Sequence, residues 1–302
     1  MTYTTVVLVS AAVCAAMFAL RLAQGGRKII TVIPGVLLGA VCGLTAAKVL
    51  YVLMMAASEL PRFGLNAFIR TQAETFCFVG GCAGASAGVA LGAKLTKEKA
   101  WPVLDAFAPA GALMICGLRV GEMYLGRLGA GSYVDASSQM ARFPFAVANE
   151  YGEWFYAVFM LEALMALIVA VVFLVRREKL PGETFERTAF YLAVTQILCE
   201  NLRARGMKYG FVHAEQLLCA VIIVAIVVHL CAKTKGQLKP LARFWPVLGI
   251  LVCIGLVVAV EFIRQKAASA FFASYGYGLM ILVLVGMAVL ETIALKRRHQ
   301  AE

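Results

Sequence analysis

Arginine, glutamate and glycine gather in the eleven residues from Gly117 to Arg127, which close an apolar run that starts at Trp101. Arg119 carries a planar guanidinium fork that stays charged in any environment and matches the oxygens of a phosphate. Glu122 stands one helical turn on, where it can orient that fork; the same spacing also makes a plain ion pair at a helix end. Charges of both signs at the margin of an apolar run are costly to keep in a membrane, so they mark where chemistry is expected.

Other ionisable side chains interrupt the apolar runs. Lys48 and Tyr51 share one helical face, Glu162 lies inside a strongly apolar stretch, and Glu200 with Arg203 ends another; His213 and Glu215 open the next. An isolated carboxylate such as Glu162 must be protonated or paired, with Lys48 or an arginine as the expected partner. Together these groups are expected to line one cavity open to the outside. His213 is the histidine on that side; it is read either as a proton acceptor or as an interfacial residue without a role.

The elements that must carry these residues are membrane-spanning helices. The 302-residue chain is 62% hydrophobic and only 15% charged, with a mean hydropathy of +0.85, which excludes an ordinary soluble domain. Runs able to cross about 30 Å of hydrocarbon fall near residues 4–20, 29–56, 75–93, 101–118, 154–175, 188–202, 214–232, 244–263 and 275–295. The expected fold is therefore all-α and polytopic, with about nine transmembrane helices, the sixth being the least apolar.

No basic residue precedes the first run, whereas Arg21, Arg27 and Lys28 follow it, the reverse of a secretory signal. With the N-terminus outside and the C-terminus cytoplasmic, the inner loops hold 17 of the 28 Lys and Arg residues and the outer loops 9, as the positive-inside rule requires. Basic loops facing anionic lipid account for most of the formal charge of +11, so no nucleic-acid partner is implied. The nine cysteines lie in apolar runs without C-x-x-C or nearby histidines, and are read as small core residues rather than a metal or disulfide site.

Gly80, Gly84 and Gly88 form a small-residue stripe along the third span, fit for close approach by another helix or by a lipid chain. Residues 119–150 form the largest outer loop and are expected to make a small head. Trp154 and Tyr156 are read as an interfacial aromatic belt. Residues 1–232 read as one membrane core. Residues 233–302 read as an appended two-helix hairpin without chemistry of its own, bearing Glu261 beside Arg264 and Glu291 near Lys296.

These motifs, in order through most of residues 30–232, resemble the prolipoprotein diacylglyceryl transferases, integral enzymes of the bacterial inner membrane. Ala47-Lys48-Val49-Leu50-Tyr51-Val52-Leu53 is similar to that family's basic-x-x-Tyr-Val-Leu span, and Phe78-Val79-Gly80-Gly81 to its Phe-His-Gly-Gly motif. Asp105-Ala106-Phe107-Ala108-Pro109, followed by Gly117-Leu118-Arg119-Val120-Gly121, resembles its Asp-x-x-Ala-Pro lead into Gly-Arg-x-Gly-Asn. Val134-Asp135 and Phe143-Pro144-Phe145-Ala146 are similar to its head, and Glu162, Glu200 with Arg203, and Gln216 fall at related positions. The chain departs from the pattern at Val79 for histidine, Glu122 for asparagine, Arg127 near a glutamate and Gln196 for an arginine, and in its last two spans.

The resemblance implies transfer of a diacylglyceryl group from phosphatidylglycerol, or a related phospholipid, to the thiol of a lipobox cysteine on a preprolipoprotein. On that reading Arg119, Glu122, Glu200 and His213 are the catalytic candidates. Lys48, Tyr51, Gly80, Gly81, Gly121, Arg127, Glu162, Gln196 and Arg203 are expected to bind substrate. The partners would be membrane phospholipid and exported signal peptides, with no cofactor and no metal. The alternatives are a transferase with another acceptor, or a lipid-binding or transport protein that kept the scaffold without catalysis.

Overall fold

The computed structural model describes residues 2–126, 128–176, 180–204, 206–209, 212–234, 240–266 and 270–301. Ten α-helices dominate it: α1 (Tyr3–Gln24), α2 (Val32–Met54), α3 (Ala56–Phe63), α4 (Phe78–Leu95), α5 (Ala100–Gly121), α6 (Val158–Val175), α7 (Glu183–Leu202), α8 (Ala214–Lys233), α9 (Pro240–Lys266) and α10 (Ala270–Ala301). Eight helical stretches among the described residues are long and apolar enough to cross a membrane. The exceptions are the eight-residue α3 and α7, which covers the least apolar of the expected spans and carries Glu183, Glu186, Arg187 and Glu200.

Contacts divide the chain into two compact units. The first is Met1–Leu192 with Leu202–Met207; the second is Ala193–Asn201 with Lys208–Glu302. In the first, α1, α4 and α5 enclose a core of Cys14, Phe18, Leu22, Val89, Ala93, Val103, Leu104, Ala106 and Ala110. Phe18 sets its ring edge against Phe107 at 5.6 Å between centroids, a favourable aromatic geometry. In the second unit, α8, α9 and α10 pack on one another.

The glycine stripe resolves as helix packing. A Cβ on Gly84 would overlap the Cys42 carbonyl, and one on Gly88 the Leu38 carbonyl; on Gly92 it would lie 2.7 Å from Gly35 Cα. α4 thus lies backbone to backbone on α2, as small-residue stripes permit in membranes. That contact sets the first turn of α4, with Phe78, Gly80 and Gly81, beside the last turns of α2.

Asp105 of α5 holds the start of α7. Its carboxylate oxygens accept from the backbone N–H groups of Gly182 at 2.6 Å and Phe185 at 2.9 Å, satisfying donors that a helix N-terminus leaves open. Gly182 has φ +91° and packs against the Trp101 ring, a place no side chain would fit. At the C-terminal end of α6, Arg21 donates to the carbonyls of Phe173 and Leu174.

The expected head is present, and it extends past residue 150. Strands β1 (Tyr133–Val134), β2 (Ala146–Ala148) and β3 (Trp154–Tyr156) pair antiparallel in the order β1-β3-β2. Trp154 and Tyr156 therefore belong to a strand rather than to the start of the fifth span, which begins at Val158. In the turn after β1, the Asp135 carboxylate accepts from the Ser137 backbone N–H and hydroxyl, which holds its pKa below the usual value. A second hairpin, β4 (Lys208–Tyr209) with β5 (Val212–His213), leads into α8. All nine cysteines are free, and no group of metal-ligating side chains occurs among the described residues.

Candidate active site

Four of the sequence candidates meet in one buried cluster of the first unit. Arg119 lies in the last turn of α5, Glu122 just beyond it, Glu162 in the second turn of α6, and Arg203 just past the end of α7. Arg119 Nη1 donates to Glu122 Oε1, and its Nε lies 2.5 Å from Glu162 Oε2. Arg203 Nε donates to Glu162 Oε1 at 2.7 Å, while Nη2 donates to Glu162 Oε2 at 2.6 Å and to Glu122 Oε2 at 3.1 Å. Each carboxylate bridges both guanidiniums, so among these contacts two carboxylates face two guanidiniums.

Charge matching is what makes such a cluster tolerable in an apolar bundle, because a single unpaired charge there is expensive. Glu162 is paired with arginines; Lys48 is not its partner. Arg119 is 2% exposed, and its guanidinium stacks on the Phe78 ring with Cζ 3.7 Å from the centroid. Phe78 was not among the sequence candidates, although an aromatic residue opening α4 beside Gly80 and Gly81 was the available signal.

Two glycines complete the surroundings. Gly121 carries the Tyr3 ring, 3.1 Å from where a Cβ would stand. Gly129 has φ +77°, and a Cβ there would overlap Glu122 Oε2. The loop backbone thus presses onto the carboxylate that joins the two arginines. Gly129 too escaped the sequence reading, since a glycine in a loop gives no sign of what it faces.

Lys48 and Tyr51 belong to a separate network where α2 meets the loop before α4. Lys48 Nζ donates to Thr75 Oγ1 at 2.8 Å and to the Thr75 carbonyl at 3.2 Å, and sits over the Tyr51 and Phe76 rings. Tyr51 OH donates to Glu59 Oε1 at 3.3 Å, and Arg70 Nη1 donates to Glu59 Oε2 at 3.1 Å. Of the candidate glycines, Gly80 packs tightly on Leu50 and Ala46, and Gly81 has only ordinary contact with Ala47.

The second unit gathers Gln196, Glu200, His213 and Gln216. Gln196 Nε2 donates to Glu200 Oε1 at 2.8 Å, and His213 Nδ1 lies 3.2 Å from Glu200 Oε2. All four are buried. His213 and Glu200 are within ion-pair distance, although His213 Nδ1 makes no hydrogen bond among the described residues; a histidine beside a carboxylate is a candidate for proton transfer. Arg127 lies outside the described residues.

Residues 1–232 match the family described as prolipoprotein diacylglyceryl transferase. The chain belongs to that family. That family is one of transferases that act on a phospholipid donor and prolipoprotein substrates in lipoprotein biosynthesis, and the membrane-spanning helices make this chain a multi-pass membrane protein. No match to a curated protein was found.

Against the pattern of the prolipoprotein diacylglyceryl transferases, Val79 is 6% exposed and offers neither a proton nor a lone pair. Glu122, standing where the pattern has asparagine, brings a negative charge that Arg203 and Arg119 share. The last two helices, which lie beyond the matched residues, also bear polar groups with partners. Glu261 accepts from Gln216 Nε2 at 3.4 Å and Arg264 Nη1 donates to Tyr277 OH at 2.8 Å.

Proposed function

We propose that this chain transfers the diacylglyceryl group of phosphatidylglycerol to the thiol of a lipobox cysteine, at the outer face of the bacterial inner membrane. The N-terminus lies outside and the C-terminus in the cytoplasm. The observation that carries the reading is the buried cluster of Arg119 and Arg203 with Glu122 and Glu162, at one end of the membrane helices in the family-matched region. Ionisable residues within membrane helices are costly and as a rule mark functional sites.

In the reaction, the cysteine S–H gives its proton to His213, which Glu200 orients. The sulfur attacks the glyceryl carbon that carries the phosphate ester, the C–O bond breaks, and the electron pair leaves on oxygen as glycerol phosphate. Arg119 and Arg203 stabilise the phosphate as its charge grows, a role suited to preorganised donors in a water-poor site. Glu122 and Glu162 hold both forks in place. Lys48, Tyr51, Gly80, Gly81, Gly121, Arg127 and Gln196 serve substrate binding.

Val79 in the histidine position, together with the pairing of the two arginines by Glu122 and Glu162, favours a second reading: a lipid-binding protein without transfer. Mass spectrometry separates the two. Purified protein incubated with phosphatidylglycerol and a lipobox peptide is expected to yield the diacylglyceryl thioether, and Arg119→Ala to abolish it while the protein still inserts. Lipid that co-purifies without any adduct would establish the second reading.

A further inference from the structure

Glu261 of α9 is 2% exposed and lies beyond the family-matched residues. A carboxylate buried in an apolar helix is costly without polar partners. Its Oε2 accepts from Gln216 Nε2 at 3.4 Å, and its Oε1 lies 3.6 Å from Arg264 Nη2 one turn on. Gln216 also donates through Nε2 to the Ile197 carbonyl at 3.1 Å, and its Oε1 accepts the backbone N–H of His213 at 3.1 Å. His213 Nδ1 in turn faces Glu200.

A primary amide has a donor end and an acceptor end, and their placement here decides what His213 meets. If the amide turned over, its NH2 would face the His213 N–H, donor against donor. Ile197 O and the Glu261 carboxylate, both acceptors, require the NH2 on their own side. They leave the Gln216 oxygen for His213, at the residue where β5 ends and α8 begins.

We infer that Glu261 is a positioning residue for His213, acting through Gln216, so that the helices beyond the family match hold the base of the reaction. The inference rests on the proposed role of His213. Arg264 supports it twice, by pairing with Glu261 and by donating to Asn201 Oδ1 at 3.5 Å, near the end of α7 that carries Glu200.

Steady-state transfer from phosphatidylglycerol to a lipobox peptide, measured on the intact protein in detergent, tests it. Glu261→Leu is expected to lower kcat about tenfold with KM unchanged, in line with the cost of small misplacements. Glu261→Gln, which keeps an acceptor oxygen, restores most of the rate. His213→Gln lowers kcat by itself, and adding Glu261→Leu to it causes no further loss. Gln216→Met cuts the same link from α8, gives the same loss, and decides the matter if Glu261→Leu is not recovered folded. An unchanged kcat in Glu261→Leu or Gln216→Met, or an equal further loss in the His213→Gln background, overturns the inference alone. A wild-type rate in His213→Gln overturns the base assignment, and the inference with it.

Discussion

The Arg119 guanidinium lies over the Phe78 ring, with Cζ 3.7 Å from its centroid, so the phosphate candidate is fixed by an aromatic face as well as by two carboxylates. A cation–π contact of this kind, shielded from water, contributes about 2 kcal/mol. Phe78→Leu is expected to reduce kcat/KM for lipid transfer at least tenfold, whereas Phe78→Tyr keeps the stack and most of the rate. Arg119→Lys should lose more, because an ammonium cannot bridge two carboxylates with a planar fork. Equal rates for the Leu and Tyr variants would show that the stack does not position Arg119.

Gly129 couples the head loop to Glu122. Two costs fall on Gly129→Ala: a positive φ, at about 1–2 kcal/mol, and overlap with Glu122 Oε2. Thermal denaturation in detergent should show a lower midpoint for this variant. In a Glu122→Ala background that overlap disappears, and the backbone cost and a tight 3.2 Å approach to Phe159 Cβ remain. An equal penalty in both backgrounds would mean that the loop does not bear on the carboxylate.

The charge cluster predicts a particular non-additivity. Glu162→Met leaves two buried guanidiniums with one carboxylate, and Arg203→Met leaves one guanidinium with two; each should cost about 3–5 kcal/mol. The double variant removes one charge of each sign and should be less destabilised than either single change. Additive losses in the three unfolding midpoints would contradict the bridging geometry.

Much of this was legible in the sequence because the membrane makes charge conspicuous. Arg119, Glu122, Glu162 and Arg203 stood out against apolar neighbours, and the structure brings those four together. Their pairing was not legible: Lys48 looked as suitable a partner for Glu162 until Thr75, a loop residue of no evident distinction, proved to hold it. The role of Glu261 was hidden for the same reason, since a glutamate near Arg264 at helical spacing explains itself locally, whereas its contact with Gln216 spans 45 residues. Phe78 and Gly129 act through what they touch, and their residue types alone do not reveal it.

Gly88 in the glycine stripe and Gly81 beside it separate packing from function. Gly88 faces the Leu38 carbonyl with no room for a Cβ, and the obstacle is backbone on a neighbouring helix, which cannot rotate away as a side chain can. Gly88→Ala must therefore push α4 from α2, and is expected to cost about 2 kcal/mol or more through overpacking, seen as a lower unfolding midpoint and reduced recovery from membranes. Gly81 would place its Cβ 3.4 Å from Ala47 Cβ, an ordinary contact, so Gly81→Ala should fold with a wild-type midpoint. If Gly81 lies against substrate, that folded variant will nevertheless show a raised KM for phospholipid, because the added methyl occupies space the substrate needs. A normal midpoint with normal KM would remove Gly81 from the site, and a lowered midpoint would place it with Gly88 in the helix contact.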